Sequence, residues 1–364
     1  MPTRMASWCW RNKLNETGRR YVIRLGGNNW RAFGMTIVRR SPLWCFVFFC
    51  LLLSNLCHSI PGHSFELEKP ECIAPAKPGG GHDIMCRLMA GSLAESLLVD
   101  MSIRYMPGGI GALAFNYAIN TRPRDADMVV AVSTGTALNL ALHKFGRYTE
   151  ADVRWLGAVG TDYGVIAVRS DAPWRTLEQL INTLRQHPDS VVIGAAGSIG
   201  SQDWMKLALV LDKAGVNPKM IRYISYEGGG EASQALLKGH IQVFPGDFTE
   251  VVDHLEASEV RILAVFAEQR LPGRHGDIPT AREQGYDVVW PVWRGFYLPP
   301  QISNTEYHWW VNTLYRLESS GILAREREKL HLFPLMIIGE EFDSYVKYNV
   351  QQLREFGKKF GLIP

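Results

Sequence analysis

Beyond Ser59 the sequence is short of cysteine, of surplus positive charge and of any apolar run long enough to cross a bilayer. Four of the six cysteines (Cys9, Cys45, Cys50 and Cys57) fall before that point, leaving Cys72 and Cys86. Neither belongs to a C-x-x-C and no H-E-x-x-H occurs, so no metal site is expected. Cys72 reads as mid-strand and Cys86 as mid-helix. An oxidising compartment permits a bridge, but two buried thiols packing as small hydrophobes is the expectation. Nine of the 39 Lys and Arg, but only one of the 36 Asp and Glu, precede Ile60, so the remainder carries 30 basic against 35 acidic side chains. That balance removes the basis for a nucleic-acid partner. Nucleotide motifs are missing too: Gly79-Gly80-Gly81 lacks the G-K-[ST] of a P-loop, and Pro107-Gly108-Gly109-Ile110-Gly111 lacks dinucleotide spacing. No cofactor is expected.

What is present begins with a leader. Arg39-Arg40 precede the apolar run Leu43 to Leu53, about half of the roughly 20 residues a spanning helix needs. A charged n-region, a short h-region and small residues at Cys57 and Ser59 predict a signal peptide cleaved near Ser59. Met35 then becomes the sensible start, and residues 1–34 upstream sequence. An uncleaved amphipathic leader is the plain alternative; Asn55 and Leu56 fit poorly before a lipidated Cys57.

From Glu66 onward apolar strands alternate with amphipathic helices. Strands are predicted at 71–75, 102–106, 128–133, 154–159, 165–168, 191–194, 220–225, 241–244 and 261–266. Asp83 is expected to cap a helix burying Met85, Leu88, Met89, Leu93 and Leu97. A second helix sets Trp204, Leu207, Ala208 and Leu211 on one face and stops at Gly215, with Pro218 beyond. This alternation argues for α/β architecture with mostly parallel sheets. Length allows two lobes: residues 65–165 with 290–364, and 166–289. The crossings fall on Tyr163 to Arg169 and Val288 to Tyr297, extended segments without the composition of a loose linker.

Four small-residue loops recur after a strand and before a helix: Lys77 to Asp83, Ser133 to Thr136, Gly197 to Gln202, and Tyr226 to Glu231. In α/β sheets such loops gather at the carboxyl ends of the strands, where ligands bind. The free N–H groups of each following helix carry partial positive charge, and several facing one gap would hold a carboxylate. The candidate ligand-binding residues are therefore Gly79, Gly80, Gly81, Asp83, Ser133, Thr134, Thr136, Gly197, Ser198, Ser201, Gln202 and Gly228. Arg294 can grip a carboxylate through its fork or pair with a surface acid, and Lys77 abuts the first loop. Asp247 either accepts from a ligand hydroxyl or caps the following helix. The aromatic stretch with Tyr307, Trp309 and Trp310 reads as core.

Ala196-Gly197-Ser198-Ile199-Gly200 also lies one residue from G-x-S-x-G, so a secreted serine hydrolase with Ser198 as nucleophile is the alternative. Its acid and histidine would come from Asp247 or Asp287 with His308 or His331, none of which stands in a recognisable motif. The cradle is preferred, and no catalytic residue is expected.

Three further stretches complete a pattern with Ala74 to Gly81: Gly194 to Trp204, Tyr226 to Ala232, and Trp293 to Tyr297. Together they resemble the solute receptors of tripartite tricarboxylate transporters, over Leu67 to Leu362, with the tricarboxylate-binding branch the nearest match. The resemblance implies a type II periplasmic binding fold with two lobes and two crossing hinge strands. It implies a receptor, monomeric and without enzymatic activity, that closes on a citrate-like tri- or dicarboxylate and delivers it to membrane permease subunits. It assigns the ligand to the first loop, to Ser133, Thr134 and Thr136, and to Gly197, Ser198, Ser201 and Gln202. His82 departs from the apolar residue expected there, and residues 1–34 have no counterpart.

Overall fold

A computed structural model describes residues 65–364. The leader, the start at Met35 and the cleavage site lie outside the described residues, among which no helix is long and apolar enough to cross a membrane.

The first sheet grows from the chain's apolar runs. Strand β1 (Glu71–Ala74) stops at Pro75, and after the glycine turn helix α1 (Gly81–Leu97) packs back over it. Strands β2 (Ser102–Tyr105) and β3 (Met128–Ser133) pair parallel with β1 on either side, with a short helix α2 (Ala112–Asn116) between them in sequence. All six residues of β3 are buried, as expected of a strand covered on both faces. Its last residue, Ser133, caps helix α3 (Thr134–Ala141) and accepts from Gly135 N at 3.2 Å. Strand β4 (Arg154–Tyr163) is also largely buried.

One residue later, β5 (Val165–Arg169) belongs to the second sheet, with α4 (Leu177–Gln186), β6 (Val192–Ala196), α5 (Gln202–Lys213), β7 (Arg222–Tyr226), α6 (Gly229–Leu237) and β8 (Val243–Phe244) following. A turn at 248–250, α7 (Val252–Glu256) and β9 (Val260–Val265) complete this part. The chain returns through β10 (Pro291–Leu298) to the first sheet and ends with α8 (Asn304–Ser319), α9 (Ile322–Lys329), β11 (Ile337–Ile338) and α10 (Glu340–Lys359). Strand order is β11-β4-β10-β3-β1-β2 in one sheet and β7-β6-β8-β5-β9 in the other. The result is a two-lobed α/β fold with two crossing strands. Where they cross, Gly164 N donates to Trp290 O at 3.2 Å, while Phe266 N donates to Gly164 O and Trp290 N to Phe266 O, both at 2.8 Å.

Four expectations are corrected. The sheets are mixed rather than mostly parallel: β10 is antiparallel to β3 and β4, β11 to β4, and β5 to β8 and β9. The cause is the crossing itself, because β5 and β10 leave the crossing point in the direction opposite to the strands that end near it. Cys72 and Cys86 are not separate thiols but a disulfide, with Cα atoms 5.5 Å apart. The helix folds back on the strand that precedes it, which brings the two inward-facing sulfurs together. A cross-link closing a loop of this length contributes about 3 kcal/mol. Nor does Asp83 cap α1. The N-cap is Gly80, and Asp83 lies three residues inside, accepting from Gly79 N at 2.8 Å. The strand foreseen at 241–244 is reduced to β8.

The helix faces follow the sequence pattern. Met85, Leu88, Met89 and Leu93 of α1 are fully buried, as are Trp204, Leu207, Ala208 and Leu211 of α5. Each such large side chain contributes roughly 1.5–3 kcal/mol. Tyr307 and Trp310 of α8 are core. Helix α10 buries Phe342, Val346, Val350 and Leu353, and its end reaches α5 of the second lobe, where Lys359 Nζ meets Asp212 Oδ2 at 3.1 Å and Phe360 packs edge-on against Trp204.

Candidate functional site

The carboxyl ends of β1, β3, β6 and β8 and the helices that follow β1, β3, β6 and β7 surround one cavity of about 70 Å³. Of the candidate residues, Gly80, Gly81, Ser133, Thr136, Ser201, Gln202, Gly228, Asp247 and Arg294 line it. Room for one water takes about 10–15 Å³ on this scale, so the space suits a small ligand.

Five candidates do other work. Gly79 donates to Asp83, whose Oδ1 accepts from Tyr105 Oη at 2.8 Å and whose Oδ2 pairs with Arg87 Nη2 at 3.0 Å. Those contacts brace the first loop from behind. Thr134 Oγ1 accepts from Trp293 N at 3.1 Å and so ties α3 to β10. Gly197 N donates to Tyr226 O at 2.9 Å, holding the turn against β7. Ser198 is exposed and its carbonyl accepts from Ser201 N at 2.8 Å, while Ser201 enters the wall. Among the described residues no acid or histidine holds the Ser198 hydroxyl: Asp287 pairs with Arg282, and His331 stands 3.5 Å from Asp253. Lys77 is half-exposed and paired with Glu231 at 2.8 Å.

The floor of the cavity is a chain of enclosed charges. Arg294 Nη2 lies 2.8 Å from both Asp162 Oδ2 and Asp247 Oδ2. Lys206 Nζ reaches Asp247 Oδ1 at 2.5 Å, Asp203 Oδ1 at 2.8 Å and Gly246 O at 2.7 Å. Gln202 Nε2 donates to Asp247 Oδ2 at 3.2 Å. Asp247 is thus the hub, and it also caps the 248–250 turn in a reciprocal box with Glu250. Burial alone would raise the Asp247 carboxyl, but Lys206 and Arg294 outweigh it and hold it below the usual range. For Asp162 and Asp203 burial prevails over their cations, and both are raised. Enclosure, then Asp247 and Asp203, push Glu250 up to about 8. Enclosure and the nearby Arg294 push His82 down to about 4, so the imidazole is neutral, with Nε2 sealed from water and unpaired.

Sequence reasoning missed Asp162, Asp203, Lys206, Glu250 and Asn139. Signals for some were present. Lys206 interrupts the apolar face of α5, Asp162 is the one acid in the largely apolar strand β4, and Glu250 stands at capping-box spacing from Asp247. Away from this cavity, Glu256, His275 and His331 bring one ligating atom each within 4.8 Å of one another, with Glu256 already paired to Arg274 at 2.6 Å.

Several known proteins are similar to this chain. Over 229 residues the chain is 25% identical to protein BugT of Bordetella pertussis, covering 62% of this chain and 69% of that one. The structure of the periplasmic binding protein BugD superposes with a TM-score of 0.74 at 21% identity, covering 82% of this chain and 99% of its own. MatC of Rhodopseudomonas palustris with bound malate gives 0.71 at 20% identity, covering 80% and 99%. The model of the tripartite tricarboxylate transporter family receptor matches residues 85–306. With that match spanning more than half of its length, the chain belongs to the tripartite tricarboxylate transporter family of receptors.

Proposed function

We propose that this chain is an extracytoplasmic solute receptor that closes its two lobes, residues 65–165 with 290–364 and 166–289, over a small carboxylate. It hands that ligand, unaltered, to membrane permease subunits. The observation that carries this reading is the convergence of helix N-termini on one small cavity. Helices α1 and α3 reach it from the first sheet, and α5 and α6 from the second. The partial positive charge at these helix ends favours a carboxylate, and approach from both lobes makes closure and binding one event. The Ser133 and Thr136 hydroxyls already accept N–H groups, from Gly135 at 3.2 Å and from Ser133 at 3.4 Å, which leaves their protons for an anion. Malate bound to MatC is a small carboxylate held by a protein of the same fold, and the citrate-like acids of the resembled branch belong to the same broad class. The predicted leader agrees with export, and a single copy supplies the whole cavity, as a monomer requires.

Thermal melting with a panel of carboxylates tests the proposal. A ligand at about 100 times its Kd adds about 2.7 kcal/mol if it binds only the folded chain. Solution scattering should show a more compact particle at saturation. No shift with any carboxylate, or recovery of chemically altered ligand, would defeat the reading.

A further inference from the structure

The chain has placed one of its own carboxyl groups on a seat of the kind a ligand would use. Glu250 Oε1 accepts from Gly81 N, at the first residue of α1, at 3.1 Å. Its Oε2 accepts from Asp247 N at 3.2 Å. On the other side lies the first residue of α6, Gly229, where a Cβ would overlap the Glu250 carboxyl. The group is therefore wedged between the N-termini of two helices, one from each lobe, and lines the cavity itself.

Among the described residues, the remaining lining offers no free cation. Lys206 is shared between Asp203 and Asp247, and Arg294 between Asp162 and Asp247. What is left without a partner is one donor, Arg294 Nε, and several acceptors. Gln202 commits its amide nitrogen to Asp247 and Asn139 commits its own to Ile110 O, each at 3.2 Å, so Gln202 Oε1 and Asn139 Oδ1 remain unpaired. Both residues line the cavity, as does His82 with its unpaired Nε2. Enclosed acceptors without donors are costly, so a fitting ligand brings donors to them.

Resting on the receptor reading, we propose that Glu250 determines specificity. By filling the seat between α1 and α6 it admits ligands with a single carboxylate plus a hydrogen-bond-donating group, such as an amide, hydroxyl or ammonium. It rejects acids of the same length that carry a second carboxylate. The single carboxylate takes the start of α3, with the Ser133 and Thr136 hydroxyls. A second would enter a lining whose enclosed acids outnumber its cations and whose helix-end seat is taken.

Succinamate and succinate differ only by an amide in place of one carboxylate, and calorimetric titration of both into the wild-type chain is the test. We expect succinamate to bind at least tenfold tighter. Glu250→Ala, which empties the seat, should strengthen succinate binding at least tenfold and erase the preference. Equal or tighter binding of succinate by the wild type overturns the inference and leaves the receptor reading intact. An unchanged preference in a folded Glu250→Ala variant does the same. Failure of both compounds, together with every other carboxylate, to bind the wild type overturns both readings.

Discussion

The two walls of the cavity are built from different materials. The wall from the first sheet presents backbone and hydroxyls: Gly80 and Gly81 at the start of α1, and Ser133, Gly135 and Thr136 at the start of α3. The wall from the second sheet presents carboxyl side chains at 203, 247 and 250, the first two tied through Lys206 and the third joined to Asp247 by the capping box. One wall is shaped by turns that the local chain dictates and is held by a disulfide behind it. The other depends on charges that meet only when α5, β8 and the crossing strands are assembled. The first can therefore lose a side chain and keep its form, whereas the second cannot.

The sharpest way to break that contrast is Lys206→Met. Lys206 is fully buried, and its loss leaves Asp203 and Asp247 enclosed without their shared cation. Breaking one partner of such a set costs about 3–5 kcal/mol, so urea denaturation should show a loss of that size. A loss below about 1 kcal/mol would mean the charged wall is not what holds the second lobe's side together. Next in size is the covalent brace of the opposite wall. Cys72→Ser with Cys86→Ser should lower stability by about 3 kcal/mol, and reductant should reproduce the shift in wild-type Tm but not in the double variant.

The third test uses pH, and the two walls carry opposite signs. His82, on the first wall, has its folded pKa depressed from 6.5 to about 4. The unfolded chain then binds more protons between those values, so stability is present above pH 6.5 and lost as pH falls through 4, by as much as about 3 kcal/mol. His82→Gln should flatten this acid limb. Glu250, on the second wall, is raised from 4.5 to about 8. Here the folded chain holds the extra proton, so the contribution is present below pH 4.5 and lost as pH rises through 8. Asp247, Asp203, Arg294 and Lys206 all act on this carboxyl, and Glu250→Gln should flatten the alkaline side alone. Chemical denaturation across pH 4–9 reads both limbs.

The smallest expected effects separate two serines that look alike in sequence. Ser133→Ala removes a cavity hydroxyl and an N-cap, costing about 1 kcal/mol of stability and weakening carboxylate binding severalfold. Ser198→Ala, on the solvent side of its turn, should change ligand affinity less than twofold. Reversal of that order in titration would move the anion seat from α3 to the 197–202 turn.

Local signals carried much of the fold. The run Met128–Ser133 is a strand over the predicted residues, and the face Trp204, Leu207, Ala208 and Leu211 is buried as its spacing foretold. The glycine turns were legible because a helix start is a property of adjacent residues. The direction of a side chain within such a turn is not: Ser198 and Ser201 share one loop, yet Ser198 is exposed and Ser201 lines the cavity. Nor does spacing reveal that Cys72 and Cys86 meet, since that depends on how the helix folds back after its turn. The hub at Asp247 joins residues from β4, α5, the 248–250 turn and β10, separated by more than a hundred positions, and no window along the chain contains it.

Gly164 gives this division a mechanical sense. It is the single residue between β4 and β5, and a Cβ on it would run into the stem of Lys206. The residue between the two sheets and the cation anchoring the cavity floor are thus in van der Waals register. A methyl group there would press on the Lys206 stem, so the crossing point and the charges of the floor cannot be altered independently.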